Sequence, residues 1–180
     1  MNVGRYNFDQ IKYVYYQNPE VAFEGFKSGE YFFRVENKAR TWATGYNFPA
    51  VKAGMITKAQ IANNNPVPMQ AIVMNLRRPI FQDIRVRQAM TLAYDFEWLN
   101  KTMFYGQYER LQSFFHGSAL AATGTPTPQE LAVINPLLPD LEPIQRQAVL
   151  SDWQAPKSTG DGFNRDNLLK ARELLLQAGF

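Results

Sequence analysis

Apolar and polar positions along this chain fall into two periods, and one stretch shows both. Ala71–Met74 is a short unbroken apolar run closed by Asn75 and the turn residues Arg77-Arg78-Pro79, the pattern of a buried strand. Beyond it Val86, Ala89, Ala93, Phe96, Leu99 and Met103 recur at three- and four-residue spacing, which predicts one apolar-faced helix from Asp83 to Tyr105. Asp83 is the expected N-cap, since its carboxylate can accept the free N–H groups of the first turn, and Gly106 is the expected stop. Strand, turn, cap, long helix and glycine make half of an α/β layer. The continuous apolar run predicts a strand central in its sheet, with the helix packed across it.

The rest of the chain reads in the same terms. Ile11–Tyr16 and Tyr31–Val35 are β-favouring runs, and Ile56–Ile61 is a weaker one. Between the first two, Asn18-Pro19 predicts the start of a helix that Ser28-Gly29-Glu30 closes. Asn37 is read as capping a short helix that carries Trp42 and ends at Gly45, and Pro49 opens another that stops at Gly54. Asn63–Pro68 is read as a loop. Gln107–Thr127 lacks periodicity but contains Leu111, Phe114 and Phe115, which predicts an ordered surface loop. Thr127-Pro128-Gln129-Glu130 is a capping-box pattern for a short helix ending before Pro136. Pro136–Gly162 reads as irregular, softest at Ser158–Gly162, and Asp166 is read as the cap of a last helix through Leu169, Leu175 and Ala178.

Composition narrows the class. The chain has 180 residues, 46% hydrophobic and 14% aromatic, enough for a packed core and too apolar for disorder. No apolar run approaches the roughly 18–20 residues that cross a bilayer, and no signal peptide is visible at the start. The net charge is +3 with the cations scattered, the pattern of a solvated surface. Catalysis has little to work with: His116 is the only histidine and there is no cysteine. Metal and Cys/His chemistry therefore lack a partner set, and no cofactor motif is present. Ser113 and Ser118 flank His116 without the third group or the strained turn of a nucleophile. Asp95 and Glu97, two apart on the expected helix, would point to different sides.

Several of these motifs together resemble a known family. Asn75, Pro79, Phe81-Gln82-Asp83, Val86-Arg87-Gln88-Ala89 and Ala93-Tyr94-Asp95 match the order found in extracellular solute-binding protein family 5, the periplasmic binding proteins of peptide-importing ABC transporters. Where that family usually has Arg after the last Asp, this chain has Phe96. With Phe104–Tyr108 and Ser113-Phe114-Phe115, this resembles the YejA-like branch, associated with oligopeptides and microcin C. The Gly29-Glu30 pair also matches, although the family's following Asp is replaced by Phe32 or Phe33. The resemblance runs from Val3 to Phe180. It implies an α/β fold: lobe II (domain III) of a type II periplasmic-binding-protein-like fold, a mixed sheet with flanking helices. It further implies that residues 1–180 are a single domain, most of the second lobe of a longer exported protein acting in the periplasm.

The candidate ligand-binding residues are the loop aromatics Trp42, Tyr46, Tyr105, Tyr108, Phe114 and Phe115, with Asn75 and Arg77 at the end of the expected strand. Rings in a cleft bury ligand surface, and Tyr or Trp adds a hydrogen bond. Each ring could equally fill a small cluster beneath a loop, and Arg77 could be either a carboxylate partner or a solvated turn residue. The resemblance implies a peptide or peptide-like solute, ABC permease subunits as partners, no cofactor and no catalysis. The alternative reading is a basic, aromatic-rich nucleic-acid-binding module. A hydrolase is the third, lacking any base–nucleophile set.

Overall fold

The computed structural model describes residues 4–5, 7–62, 65 and 68–180, and it divides into two compact units, Met1–Gln60 and Ile61–Phe180. In the first, α1 (Pro19–Lys27) is followed by a π-helical turn at Thr41–Gly45 and a short α2 (Pro49–Lys52). The second contains α3 (Pro79–Gln82), α4 (Ile84–Ala93), α5 (Phe96–Thr102) and α6 (Pro128–Ile134). A 3-10 turn at Asn135–Asp140, α7 (Pro143–Leu150) and α8 (Arg165–Gln177) complete it.

Local helix signals are realised as the side-chain chemistry dictates. Asn18 accepts from the N–H groups of Glu20 at 2.7 Å and Val21 at 3.4 Å, and α1 ends at Ser28 before Gly29 at φ 82°. Asp83 accepts from Arg85 N–H at 2.8 Å and caps α4. Thr127 and Glu130 form both halves of a capping box at the start of α6.

The sheet does not form. Among the described residues there is no strand, only helices joined by coil, so the expected α/β fold with a mixed sheet is corrected. Ile11–Tyr16, Tyr31–Val35, Ile56–Ile61 and Ala71–Met74 are all non-helical segments without a ladder partner. Val73, read as the heart of a buried central strand, is 90% exposed, and Phe32 is 94% exposed. A helix satisfies its backbone within itself, whereas a strand needs a second segment to exchange hydrogen bonds. An apolar run reports side-chain preference and is silent on that partner.

The expected single helix from Asp83 to Tyr105 is two helices. Tyr94 takes an extended backbone (ψ 102°) and Asp95 turns its carboxylate onto Trp98 N–H at 3.0 Å, starting α5 afresh. A short acid competing for backbone N–H groups favours a cap over a helix interior. The last helix is preceded by Asn164 and not capped by Asp166, which lies in its first turn. The Pro136–Gly162 stretch, read as irregular, contains the 3-10 turn and α7, each opened by a proline that fits a first helical turn. The expected loop at Asn63–Pro68 lies outside the described residues except at Asn65 and Pro68.

The core of the second unit is the α4–α8 contact. Val86 (3% exposed) and Ala89 (1%) from α4 and Ala171 from α8 are buried, small residues that let two helix surfaces approach. A strap over residues 155–162 closes this layer. Ala155 N–H donates to Gln112 Oε1 at 2.8 Å, and the Arg110 guanidinium donates to the Pro156 carbonyl. Ser158 donates its hydroxyl to Asp95 at 2.5 Å and its N–H to Glu97 at 3.0 Å. The stretch expected to be softest is thus tied to the α4–α5 break. That break also brings Asp95 and Glu97 onto one serine, where an unbroken helix would have pointed them apart.

Candidate ligand-binding site

In the first unit, Trp42 and Tyr46 belong to an aromatic cluster. Tyr46 meets Phe23 edge-on with ring centroids 5.2 Å apart, and Phe26, Phe48 and Trp42 lie 6.1–6.3 Å from it. Beside the cluster, Arg34 pairs with Glu36 at 3.1 Å and donates to the Tyr31 hydroxyl at 3.0 Å, and that hydroxyl donates to the Ala22 carbonyl at 2.6 Å. Burial pushes the Tyr46 phenol above its ordinary value, with the Glu36 charge adding to it. Trp42 sits on the π turn at the edge of the cluster. The Lys58 ammonium lies 4.3 Å from its ring centroid and donates to its carbonyl at 2.5 Å. Tyr46 is therefore packed inward, while Trp42 offers a half-buried ring whose near face holds a cation.

In the second unit, Asn75 and Arg77 share one turn. The Asn75 side chain accepts from Arg77 N–H at 3.1 Å, and Arg78 N–H donates to the Asn75 carbonyl at 3.0 Å. The Arg77 side chain is exposed and has no ion pair among the described residues.

Tyr105 occupies the most constructed position of the set. It holds a left-handed backbone (φ 55°), and Gly106 follows at φ 71°. Left-handed backbone is uncommon outside Gly, Asn and Asp, so the surroundings must fix it. Gly106 N–H donates to the Asn100 carbonyl at 2.8 Å. The Asn100 amide clamps Tyr108, donating to its carbonyl at 2.6 Å and accepting from its N–H at 3.1 Å. Phe104 and Tyr108 meet edge-on at 4.8 Å. The turn so fixed places Tyr105 on a groove of about 540 Å³ lined also by Phe96, Glu97, Asn100, Lys101 and Gly106.

Two aromatic rings with the Lys101 cation at their margin, beside a Glu97 carboxylate engaged by Ser158, suit a ligand with an apolar side chain and a carboxylate. Sequence reasoning missed Phe96 and Lys101 because both were read as parts of one continuous helix. The replacement of the family's usual Arg by Phe96 was the available signal. Phe114 and Phe115 form a separate edge-on pair, 5.0 Å apart and exposed.

Several of the basic residues are engaged within the protein. Lys27, Arg34, Lys38 and Arg85 are paired with Glu24, Glu36, Glu20 and Asp83. Arg87 and Arg110 are spent on backbone carbonyls. His116 comes only within 4.0 Å of Glu109, and the Ser113 hydroxyl accepts from Ala122 N–H at 2.9 Å.

The sequence as a whole matches the family model described as bacterial extracellular solute-binding proteins, family 5 Middle, over residues 2–180. It is 42% identical over 180 residues to YejA of Escherichia coli (strain K12), covering 100% of this chain and 29% of that protein. It is 40% identical over 182 residues to the probable peptide-binding protein YejA of Agrobacterium fabrum, covering 100% of this chain and 29% of that protein. The peptidoglycan-binding protein YepA of the same organism is 32% identical over 186 residues, covering 99% of this chain and 30% of that protein. The chain thus spans about three tenths of the length of these relatives.

Proposed function

Because the chain belongs to the bacterial extracellular solute-binding proteins of family 5, we propose that it forms one wall of the ligand cleft in a periplasmic protein delivering peptides or peptide-like solutes to an ABC permease. The observation that carries this reading is the family match over residues 2–180, joined to a relative whose name is probable peptide-binding protein. In this role the protein binds and releases, without covalent chemistry. A cleft closed from two sides buries roughly 70–90% of a ligand's surface, and this chain supplies part of that surface.

Within the chain, the groove at Phe96 and Tyr105 is assigned the side-chain subsite, with Lys101 beside it for a ligand carboxylate. Trp42, Asn75, Arg77, Tyr108, Phe114 and Phe115 are further candidates for the wall. The peptidoglycan-binding name of one relative extends the solute class to cell-wall peptides. Mass spectrometry of solute released from the purified full-length protein tests this. The expected result is short peptides or peptide-bearing fragments; release of sugars or metal chelates alone would overturn it.

A further inference from the structure

Helix α8 buries one face and leaves a second apolar face uncovered. Ala171 is buried with Leu174 and Leu175 half-buried beside it, whereas Leu168, Leu169 and Leu176 are exposed. Next to them Phe163 stands 77% exposed at the end of the strap. Asp161, Phe163, Arg165, Leu168, Leu169 and Arg172 line a groove of about 600 Å³. A ring that far out of the protein contributes little to the fold and offers area to a partner.

Two cations at this groove carry no partner. Neither the Arg165 nor the Arg172 side chain has an ion pair or hydrogen bond among the described residues. The reason is in the register. Arg165 has Leu168 and Leu169 three and four residues ahead, and Arg172 has the same two leucines behind it, so no carboxylate on α8 faces either guanidinium. Asp166 and Glu173 are each adjacent in sequence to an arginine and point elsewhere around the helix. Asp161, the acid lining the groove, turns back to accept from Phe163 N–H at 2.8 Å.

The groove is therefore an apolar floor with an unpaired guanidinium at each end, about 10 Å apart along the helix. Covering it with a purely apolar partner would strip water from two unpaired cations, which is costly. A partner carrying carboxylates at matching spacing removes that cost through bidentate pairs. We propose that this groove docks an acidic amphipathic helix of a partner protein, with two carboxylates one heptad apart flanking apolar side chains. This surface is separate from the Tyr105 groove in its lining residues, and the inference does not depend on which solute the protein takes.

The test uses the full-length protein and a fluorescent synthetic helical peptide with two glutamates one heptad apart around leucines. A matched peptide carries lysines at the glutamate positions. Fluorescence anisotropy should show the glutamate peptide binding the wild type, with affinity falling at least about tenfold in the double variant Arg165→Glu, Arg172→Glu. The lysine peptide should bind that variant and not the wild type. Phe163→Ser, at an exposed position, should weaken the glutamate peptide while leaving the unfolding midpoint unchanged. Equal affinity of the glutamate peptide for wild type and charge-reversed protein would overturn the proposal. Arginine-dependent binding to phosphatidylglycerol vesicles with no peptide binding would also overturn it, in favour of a membrane surface.

Discussion

Asn164 joins α4 to α8, and its replacement separates two physical costs. The residue is 6% exposed and holds a left-handed backbone at φ 43° and ψ 32°. Its side-chain N–H donates to the Leu92 carbonyl at 2.9 Å, and its Oδ1 accepts from Asn167 at 2.8 Å. In Asn164→Ala the left-handed conformation costs about 1–2 kcal/mol, since alanine lacks the local hydrogen bonding that lets Asn visit it. Loss of the bond to Leu92 adds about 0.5–1.5 kcal/mol. The expected total is about 2–3 kcal/mol. Asn164→Gly removes the conformational cost, retains the lost bond, and adds chain entropy of about 0.4–1 kcal/mol in the unfolded state. It should therefore lose less, about 1–2 kcal/mol in all. Urea titration followed by circular dichroism gives both values from one assay. The order should be wild type, glycine, alanine. If alanine and glycine were equal, the backbone conformation would be irrelevant. If neither lost stability, the junction would not be part of the folded layer.

Three further outcomes follow from the same packing. Gly162 has φ 87°, and a Cβ there would lie 2.8 Å from Trp98 Nε1. Gly162→Ala should thus cost at least about 1–2 kcal/mol in urea titration, with a shift in tryptophan emission; an unchanged midpoint would show that the strap is not held against Trp98. Val86→Ala removes two buried methyl groups at about 0.8 kcal/mol each plus a cavity term, so about 2 kcal/mol should be lost from the unfolding free energy. The Arg85 side chain, aided by its backbone N–H, lowers the Asp83 carboxyl from 3.8 to about 2. A depressed folded-state value means that its contribution is present above the ordinary carboxylate range and is lost as pH falls from about 4 to about 2. Urea midpoints at about pH 5 and about pH 2 should converge for wild type and Asp83→Asn at the lower value; an undiminished gap would assign the acid sensitivity elsewhere.

Helix ends were legible in this sequence and strands were not, for a reason visible residue by residue. Asn18, Asp83 and Thr127 find their acceptor role within three residues, so local sequence contains both partners of the bond. Ala71–Met74 carries only half of what a strand requires. The helix break at Tyr94 was partly legible, because Asp95 is a strong cap former, but the apolar periodicity of Phe96, Leu99 and Met103 ran through it and masked it. What stabilises the break, Ser158 from 63 residues away, leaves no local signal.

The candidate site divides the same way. The aromatic composition of the loops made Tyr105 and Tyr108 candidates. Only the fold shows that Asn100 clamps one while Gly106 fixes the other beside Phe96. For Tyr46, a loop position in the sequence gave no indication that Phe23, Phe26 and Phe48 would surround it.

The central claim, a solute-binding wall completed by the remainder of a longer protein, is tested most directly by calorimetry with one pool of short peptides. The pool is titrated into the 180-residue chain, into the full-length protein, and into full-length Tyr105→Ala. We expect saturable binding to the full-length protein, about tenfold weaker binding to Tyr105→Ala, and far weaker binding to the chain alone. A tenfold loss corresponds to about 1.4 kcal/mol, within reach of one aromatic contact. Equal affinity for chain and full-length protein would contradict the shared cleft, and absence of peptide binding by the full-length protein would contradict the function itself.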